Sequence, residues 1–285
     1  MKIYIIGITG MLGSELFKRF SENKFFKVRG STKRSKLLIF KKYNKFIDFN
    51  ISANNLEDLK KKILDFKPDC VINCVGIIKQ KILKKNNLHD ILYINSIFPH
   101  KLYYITKLIN SRLIHFSTDC VFDGSKGNYL ENNQPNSDDI YGKTKFLGEI
   151  NYQNTCTIRT SIIGHQYFNK LSLLEWFLSN KNKCDGFSNS FFSGLTTLEV
   201  YKFLVNYFLK KKYSGLLHLH SKKISKYKLL KIIKRIYNKK IQIKRKDKPR
   251  IDRSLNSIYL KNHFFYKAPT WIQMIKDMHQ NNISY

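Results

Sequence analysis

Alanine is nearly missing from this chain: Ala53 and Ala268 are the only two in 285 residues. Lys, Asn, Ile, Tyr and Phe fill the gap, the bias that an AT-rich coding sequence produces. Acidic residues are scarce as well, 20 against 52 Lys and Arg, which leaves a formal net charge of +32. The excess is spread along the chain with no basic tail. It reads as general surface charge, because a nucleic-acid footprint is a clustered patch. No dedicated nucleic-acid partner is expected, although part of the charge suits a phosphate-bearing ligand. The five cysteines (Cys70, Cys74, Cys120, Cys156, Cys184) form no CxxC pair and leave one over, which speaks against a secreted disulfide framework. No apolar run approaches the length of a membrane span. Met1 to Gly7 reaches a glycine turn too early for the apolar region of a secretory leader. A soluble, cytoplasmic protein with no membrane partner is the expectation.

What is present is enough for a sizeable core. Hydrophobic residues make up 42% and aromatic residues 14%, which excludes global disorder. The length suits one large α/β domain or a domain with an added lobe. Neither internal repeats nor low-complexity linkers interrupt it.

Residues 2–8 form a short apolar run typical of a strand buried on both faces. The turn Gly7-Ile8-Thr9-Gly10-Met11-Leu12-Gly13 follows, then an amphipathic helix from Ser14 to Phe20. Glycines spaced GxxGxxG between a strand and a helix are a variant of the dinucleotide fingerprint: they allow a tight turn, close approach to a pyrophosphate, and packing of helix on strand. A second strand, near 26–30, runs into Ser31-Thr32-Lys33-Arg34. An acidic residue there would bond the ribose hydroxyl of NAD; hydroxyls and cations suit the 2′-phosphate of NADP. NADP(H) is therefore favoured, with NAD(H) the alternative. Phe46 to Phe49 reads as a third strand, so that Asp48 and Phe49 pass the adenine.

Leu56 to Phe66 reads as a helix closed by Pro68, and Cys70 to Gly76 as a fourth buried strand ending in Cys74, Val75 and Gly76. Cys70, Ile72 and Cys74 share a strand face, as packing residues. His89 to Asn110 reads as a long helix interrupted by Pro99. Leu113 to Ser117 is a fifth strand delivering Thr118-Asp119-Cys120-Val121-Phe122-Asp123-Gly124, and Cys156 to Ile162 is a sixth. This alternation argues for an α/β fold: a Rossmann-type, doubly wound parallel sheet over residues 1–165. Residues 166–285 read as a smaller substrate-binding lobe. It has helices at 172–178, 198–209 and 225–237, a strand at 216–220, and an aromatic Ser/Gly-rich loop at 186–197 with the look of a lid. His218 and His220 fall on one strand face, but no third ligand is evident, so no metal is expected.

The chemistry centres on Tyr141-Gly142-Lys143-Thr144-Lys145, where YxxxK on a helix puts phenol and ammonium one turn apart on one face. An ammonium beside a phenol lowers its pKa and readies it for proton exchange. With the glycine turn and a Ser-Thr after the fifth strand, this pattern resembles the extended short-chain dehydrogenase/reductases. Within them, Ser117-Thr118-Asp119-Cys120-Val121-Phe122-Asp123-Gly124, Tyr141 to Glu149, Arg159-Thr160-Ser161 and Asp252-Arg253-Ser254-Leu255 resemble the dTDP-4-dehydrorhamnose reductase family over nearly the whole chain.

The resemblance implies an NADP(H)-dependent reductase of a nucleotide-linked 4-keto-6-deoxy sugar, serving surface polysaccharide synthesis. Tyr141 would be the proton donor, Lys145 would lower its pKa and hold the nicotinamide ribose, and Thr118 would bond the carbonyl oxygen. Gly7, Thr9 and Gly10 to Gly13 would meet the pyrophosphate. Ser31 and Arg34 would take the adenosine ribose side, Cys74 to Gly76 would line the cofactor, and Asn95 would support the lysine. Lys79, Asp119, Ile162, Trp176 and Arg253 would face the sugar nucleotide, Ile162 replacing the tryptophan usual after Arg-Thr-Ser. Sugar-nucleotide dehydratases of this superfamily carry an Asp-Glu pair after the threonine, whereas here Asp119 is followed by Cys120, which disfavours dehydration. An epimerase, or a non-enzymatic NADP-binding regulatory subunit, is the alternative function; a homodimer is compatible with either.

Overall fold

In a computed structural model, residues 1–38, 40–82, 87–168 and 171–281 are described. The chain begins with β1 (Lys2–Ile6), α1 (Met11–Glu22), β2 (Lys27–Ser31), β3 (Ile47–Asp48), α2 (Leu56–Phe66) and β4 (Cys70–Asn73). Further on come β5 (Arg112–Thr118) and β6 (Thr155–Thr160). With the strand Gly215–His218 they form one seven-stranded sheet, ordered Gly215–His218, β6, β5, β4, β1, β2, β3. Every pairing in it is parallel. This is the doubly wound topology expected, with its order reversing between β1 and β4.

Alternation along β1 shows why the sheet is covered twice. Ile3 and Ile5 pack with Leu12, Leu16 and Phe17 of α1. Tyr4 and Ile6 pack with Leu59 and Ile63 of α2 and with Phe98 and Leu102 on the other face. Burying each such side chain contributes about 1.5–3 kcal/mol. Asn55 caps α2 by accepting from the Asp58 amide, and Lys67 ends it in the left-handed region at φ 48°. The proline that follows disfavours further helix.

The long helix expected from His89 is instead Leu88–Leu92, a π turn at Tyr93–Ile97, and Phe98–Leu108. Pro99 sits in the first turn of the last segment, where its missing N–H costs little, so it does not break the helix. Cys70, Ile72 and Cys74 do share one packed face.

The expected lid at 186–197 is not a loop. Lys183–Phe187 pairs in parallel with Gln242–Lys246. Ser190–Phe192 runs between Ile224–Ser225 and Ile251–Asp252, and Leu195–Thr196 pairs with Ile162–Ile163. Small residues there mark close backbone approach: a Cβ on Gly194 would lie 2.2 Å from the Ser161 carbonyl. The chain beyond residue 165 shares its core with what precedes it. Gly215–His218 joins β6, and Val200, Phe203, Leu204, Trp271 and Met274 pack in the cluster that holds α1. No helix among the described residues is long and apolar enough to cross a membrane.

Candidate active site

The carboxyl ends of β1, β2, β4 and β5 meet where the strand order reverses, the crevice in which ligands of such sheets bind. Gly7, at φ +85°, turns the chain out of β1, and a Cβ there would stand 2.8 Å from Val75 Cγ2. The Gly7 and Ile8 amides donate to the Ser31 carbonyl at 3.1 and 3.2 Å. A Cβ on Gly13 would lie 2.3 Å from the Gly7 carbonyl, so only glycine lets α1 start this close to the strand. Gly10 precedes α1 in extended conformation with no side-chain cap. The first-turn amides, next to Thr9, Gly10 and Met11, therefore face an anion site of the kind a helix N-terminus provides. Leu12 contributes backbone alone, since its side chain is in the core.

At the end of β2, Ser31 is buried while Lys33 and Arg34 are exposed. The Arg34 guanidinium lies 4.8 Å from the Phe168 ring centroid, and its amide donates to Thr32 Oγ1. Asp48 ends β3 beside Ser31. Its buried carboxylate accepts from Tyr4 Oη at 2.8 Å and lies 3.8 Å from Arg29 and 3.9 Å from Lys62. Those partners consume it, so it braces the sheet, and half-buried Phe49 packs on the main core.

After β4, Asn73 Oδ1 accepts from the Val75 amide at 3.0 Å, ordering Cys74, Val75 and Gly76. Burial pushes the Cys74 thiol well up. Asn95, fully buried on the π turn, accepts from the Ile77 amide at 2.8 Å and donates to the Ile77 carbonyl and to Thr144 Oγ1. It thus holds this loop against the helix Ile140–Leu147. A Cβ on Gly76 would lie 3.6 Å from Asn95 Oδ1 and 3.9 Å from Lys145 Nζ, so loop, asparagine and lysine converge.

Thr118 ends β5. Its hydroxyl accepts from the Cys120 amide at 3.1 Å and donates to Asp119 Oδ1 at 3.2 Å. Asp119 in turn accepts from Ser161 Oγ. The helix Ile140–Leu147 is capped by Asp139, which accepts from the Gly142 amide at 2.8 Å and pairs with Lys79 Nζ at 2.7 Å. Gly142 lets the helix press onto the Asp119–Val121 turn: its Cβ would be 2.2 Å from the Cys120 carbonyl. Tyr141 is thereby half-buried beside Thr118, Asp119 and Cys120. Burial is the main cause that raises its phenol pKa; the Cys120, Asp119 and Asp139 charges add to this, and the Thr118 hydroxyl opposes it. Burial likewise pushes the Cys120 thiol up to about 12.

Lys145 corrects one expectation. Its side chain is buried, and its amine donates to the Phe116 carbonyl at 2.7 Å and lies 3.4 Å from His115 Nε2. Burial pulls it down to about 8, with Glu149 opposing. The phenol is thus raised by burial where the spacing suggested a phenol lowered by its lysine. A raised phenol keeps its proton at neutral pH, the state a general acid needs.

Of the residues expected to face a substrate, Lys79 is tied to Asp139, and Arg253 Nε donates to the Phe122 carbonyl at 2.8 Å. Asp252 lies against Gly127, whose Cβ would reach its carboxylate at 2.4 Å. The late Asp-Arg-Ser-Leu motif therefore pins the loop that follows Thr118. Ile162 lies in the short pairing with Leu195, and Trp176 stands on the exposed side of the helix Leu173–Ser179, 40% accessible.

Two buried polar networks join residues whose connection the motifs do not show. Ser117 Oγ donates to Glu149 Oε1, which with Oε2 receives Arg159 Nε and Nη2, each at 2.7 Å. Arg159 Nη1 meets His218 Nε2 at 3.2 Å. Asn73 and His115 form the second group, signalled only by polar residues in otherwise apolar strands. His218 is thus spent on Arg159 and on the Tyr129 and Asn256 carbonyls, and no cluster of three or more metal-ligating side chains occurs among the described residues.

A doubly wound parallel sheet with a glycine turn after its first strand, with Thr118 at the end of β5 and Tyr141 and Lys145 on the helix that follows, defines a Rossmann-type α/β protein. Within that class the chain belongs to the family described as "RmlD substrate binding domain", whose model matches residues 1–282. It is 29% identical over 148 residues to bovine (Bos taurus) methionine adenosyltransferase 2 subunit beta, a match spanning 52% of this chain and 41% of that protein. It is 30% identical over 95 residues to dTDP-4-dehydrorhamnose reductase of Burkholderia thailandensis, spanning 33% and 32%. The chain thus covers less than half of the length of these curated relatives. Among solved structures, dTDP-4-dehydrorhamnose reductase from Bacillus anthracis, in complex with NADP, superposes with a TM-score of 0.81 at 18% identity, covering 99% of both chains. dTDP-glucose 4,6-dehydratase from the same organism, in complex with NAD, gives 0.78 at 17%, covering 98% and 96%. At these identities the superpositions show the fold.

Proposed function

We propose that this protein is an NADP(H)-dependent reductase of a nucleotide-linked 4-keto-6-deoxy sugar, acting in surface polysaccharide synthesis, with Tyr141 as proton donor. The observation that carries the reading is the placing of Thr118, Tyr141 and Lys145 around the crevice that the glycine turn opens. The cradle suits a dinucleotide: glycines where a Cβ would strike the turn, uncapped first-turn amides, and exposed Lys33 and Arg34 at the end of β2. Met11, Leu12 and Gly13 would hold the pyrophosphate through their first-turn backbone N–H groups, Gly10 giving close approach, Arg34 the 2′-phosphate, and Gly76 and Lys145 the nicotinamide end. Bound NADPH supplies the hydride. The chain's own part is to align a carbonyl beside the Thr118 hydroxyl, exclude water, and pass the Tyr141 proton to the oxygen as its charge grows. An alkoxide is more basic than a phenolate, so even a phenol raised by burial gives up its proton in that step.

The test is consumption of NADPH, followed by absorbance, with a panel of nucleotide-linked 4-keto-6-deoxy sugars. Wild type should turn over at least one, and Tyr141→Phe should lose about 10²–10⁴-fold, the usual worth of a general acid. Equal rates would remove Tyr141 from its role. A second reading, a regulatory subunit, draws on the similarity to methionine adenosyltransferase 2 subunit beta. NADPH binding without turnover of any sugar in the panel would favour it.

A further inference from the structure

Beneath the candidate site lies a chain of buried polar groups: the Val75 amide, Asn73, His115, Lys145 and the Phe116 carbonyl. Asn73 is 1%, His115 0% and Lys145 4% exposed, so water does not substitute in the links among these three side chains. The Val75 amide donates to Asn73 at 3.0 Å, which fixes the side-chain oxygen on that side. The other half of the amide, Nδ2, must then face His115 Nδ1, 3.0 Å away. An NH₂ group can only donate, so Nδ1 is the acceptor and the proton of the neutral imidazole is on Nε2. Nε2 points at Lys145 Nζ, 3.4 Å away. An N–H there meets a neutral amine as donor to acceptor, and an ammonium as donor against donor. Nζ also donates to the Phe116 carbonyl, which either charge state can do.

We propose that Asn73 and His115 are positioning residues for Lys145, a tautomer lock that rests its amine on Phe116 and disfavours its charged form. The inference rests on the reading of Lys145 as a site residue, but the arrangement itself exists without substrate. The groups facing the amine are few. Glu149, on the segment that follows the helix, favours the ammonium but is itself paired with Arg159. His115 faces it from β5, and His100, from the helix Phe98–Leu108, acts on His115. Burial lowers both Lys145 and His115, in keeping with a neutral pair. The consequence is a buried lysine whose charge changes near pH 8, one helical turn from Tyr141 in the sequence, with its amine held on Phe116 and His115.

Two measurements on the full chain, without cofactor or substrate, decide it. Long-range ¹H–¹⁵N spectra of the histidines should show His115, assigned by its loss in His115→Phe, as the Nε2–H tautomer. Lysine side-chain ¹³C titration, with Lys145 assigned through Lys145→Arg, should give a midpoint of about 8. Asn73→Asp accepts from Nδ1–H and should flip the tautomer; Asn73→Leu removes the donor without adding charge and should release it. Both should raise the Lys145 midpoint, by about one unit. An Nδ1–H tautomer in the wild type overturns the proposal, and it can be read even if neither variant folds. A midpoint raised by Asp alone also overturns it, because that effect is charge and not the lock. Failure to reduce any nucleotide sugar leaves these results standing, so the two readings fail separately.

Discussion

The crevice at the glycine turn, proposed here for the cofactor, and the layer proposed for the substrate are built by different means. Around the cofactor crevice, each feature comes from one short stretch: Gly7 to Gly13, Ser31 to Arg34, Cys74 to Gly76, Thr118 to Cys120, Tyr141 to Lys145. The layer proposed as the substrate wall is assembled from Ile162–Ile163, Ser190–Thr196, Ile224–Ser225 and Ile251–Leu255, which meet only in the folded chain. The first kind of site tolerates drift elsewhere in the sequence. The second is reshaped by a change in any of several distant segments. The network Ser117, Glu149, Arg159 and His218 joins the two sides, since His218 also holds the Tyr129 and Asn256 carbonyls.

The largest effect expected of any substitution is at that joint. Arg159→Met should leave Glu149 buried and uncompensated, costing about 3–5 kcal/mol in urea unfolding; an unchanged midpoint would mean the two sides are joined by packing alone. A pH effect of a few kcal/mol at most comes next. The folded-state pKa of Lys145 lies below its unfolded value, so the unfolded chain binds the extra proton between about 8 and the ordinary lysine range. Its contribution to stability therefore rises with pH through that window and is a penalty below it. Lys145→Met should flatten this part of the stability curve, and an unaltered slope would contradict a buried, depressed amine.

Smaller again, Gly13→Val should cost about 1–3 kcal/mol by overpacking against Gly7, and should weaken NADPH binding with little change at the substrate wall. Last, Arg34→Ala should weaken NADPH about tenfold, or about 1.4 kcal/mol, and leave NADH binding unchanged by titration calorimetry. An equal loss for both cofactors would put Arg34 in a structural role with Phe168.

How much of this was legible in the sequence follows the same division. The sheet and the glycine turn could be read because the signals are local: short apolar runs between amphipathic helices, and glycines where a Cβ would strike Gly7 or Val75. The segment 186–197 reads as a lid because its Ser and Gly, which serve close packing on partners distant in sequence, look like loop residues, as Ser190 and Ser193 do against Ile251 and Leu255. Spacing put Tyr141 and Lys145 on one helix face but could not say where the amine ends. That depends on His115, thirty residues upstream on β5. Asp48 lay at the correct strand end, yet Tyr4 had already claimed its carboxylate.

The central claim is that this crevice delivers hydride and a proton to a sugar carbonyl. It is tested most directly by NADPH deuterated at the nicotinamide C4, incubated with a nucleotide-linked 4-keto-6-deoxy sugar, with the product read by mass spectrometry and NMR. The account predicts stable transfer of deuterium to the former carbonyl carbon in the wild type and almost none in Tyr141→Phe. Sugar conversion without deuterium in the product and without net NADPH loss would contradict it and point to epimerisation.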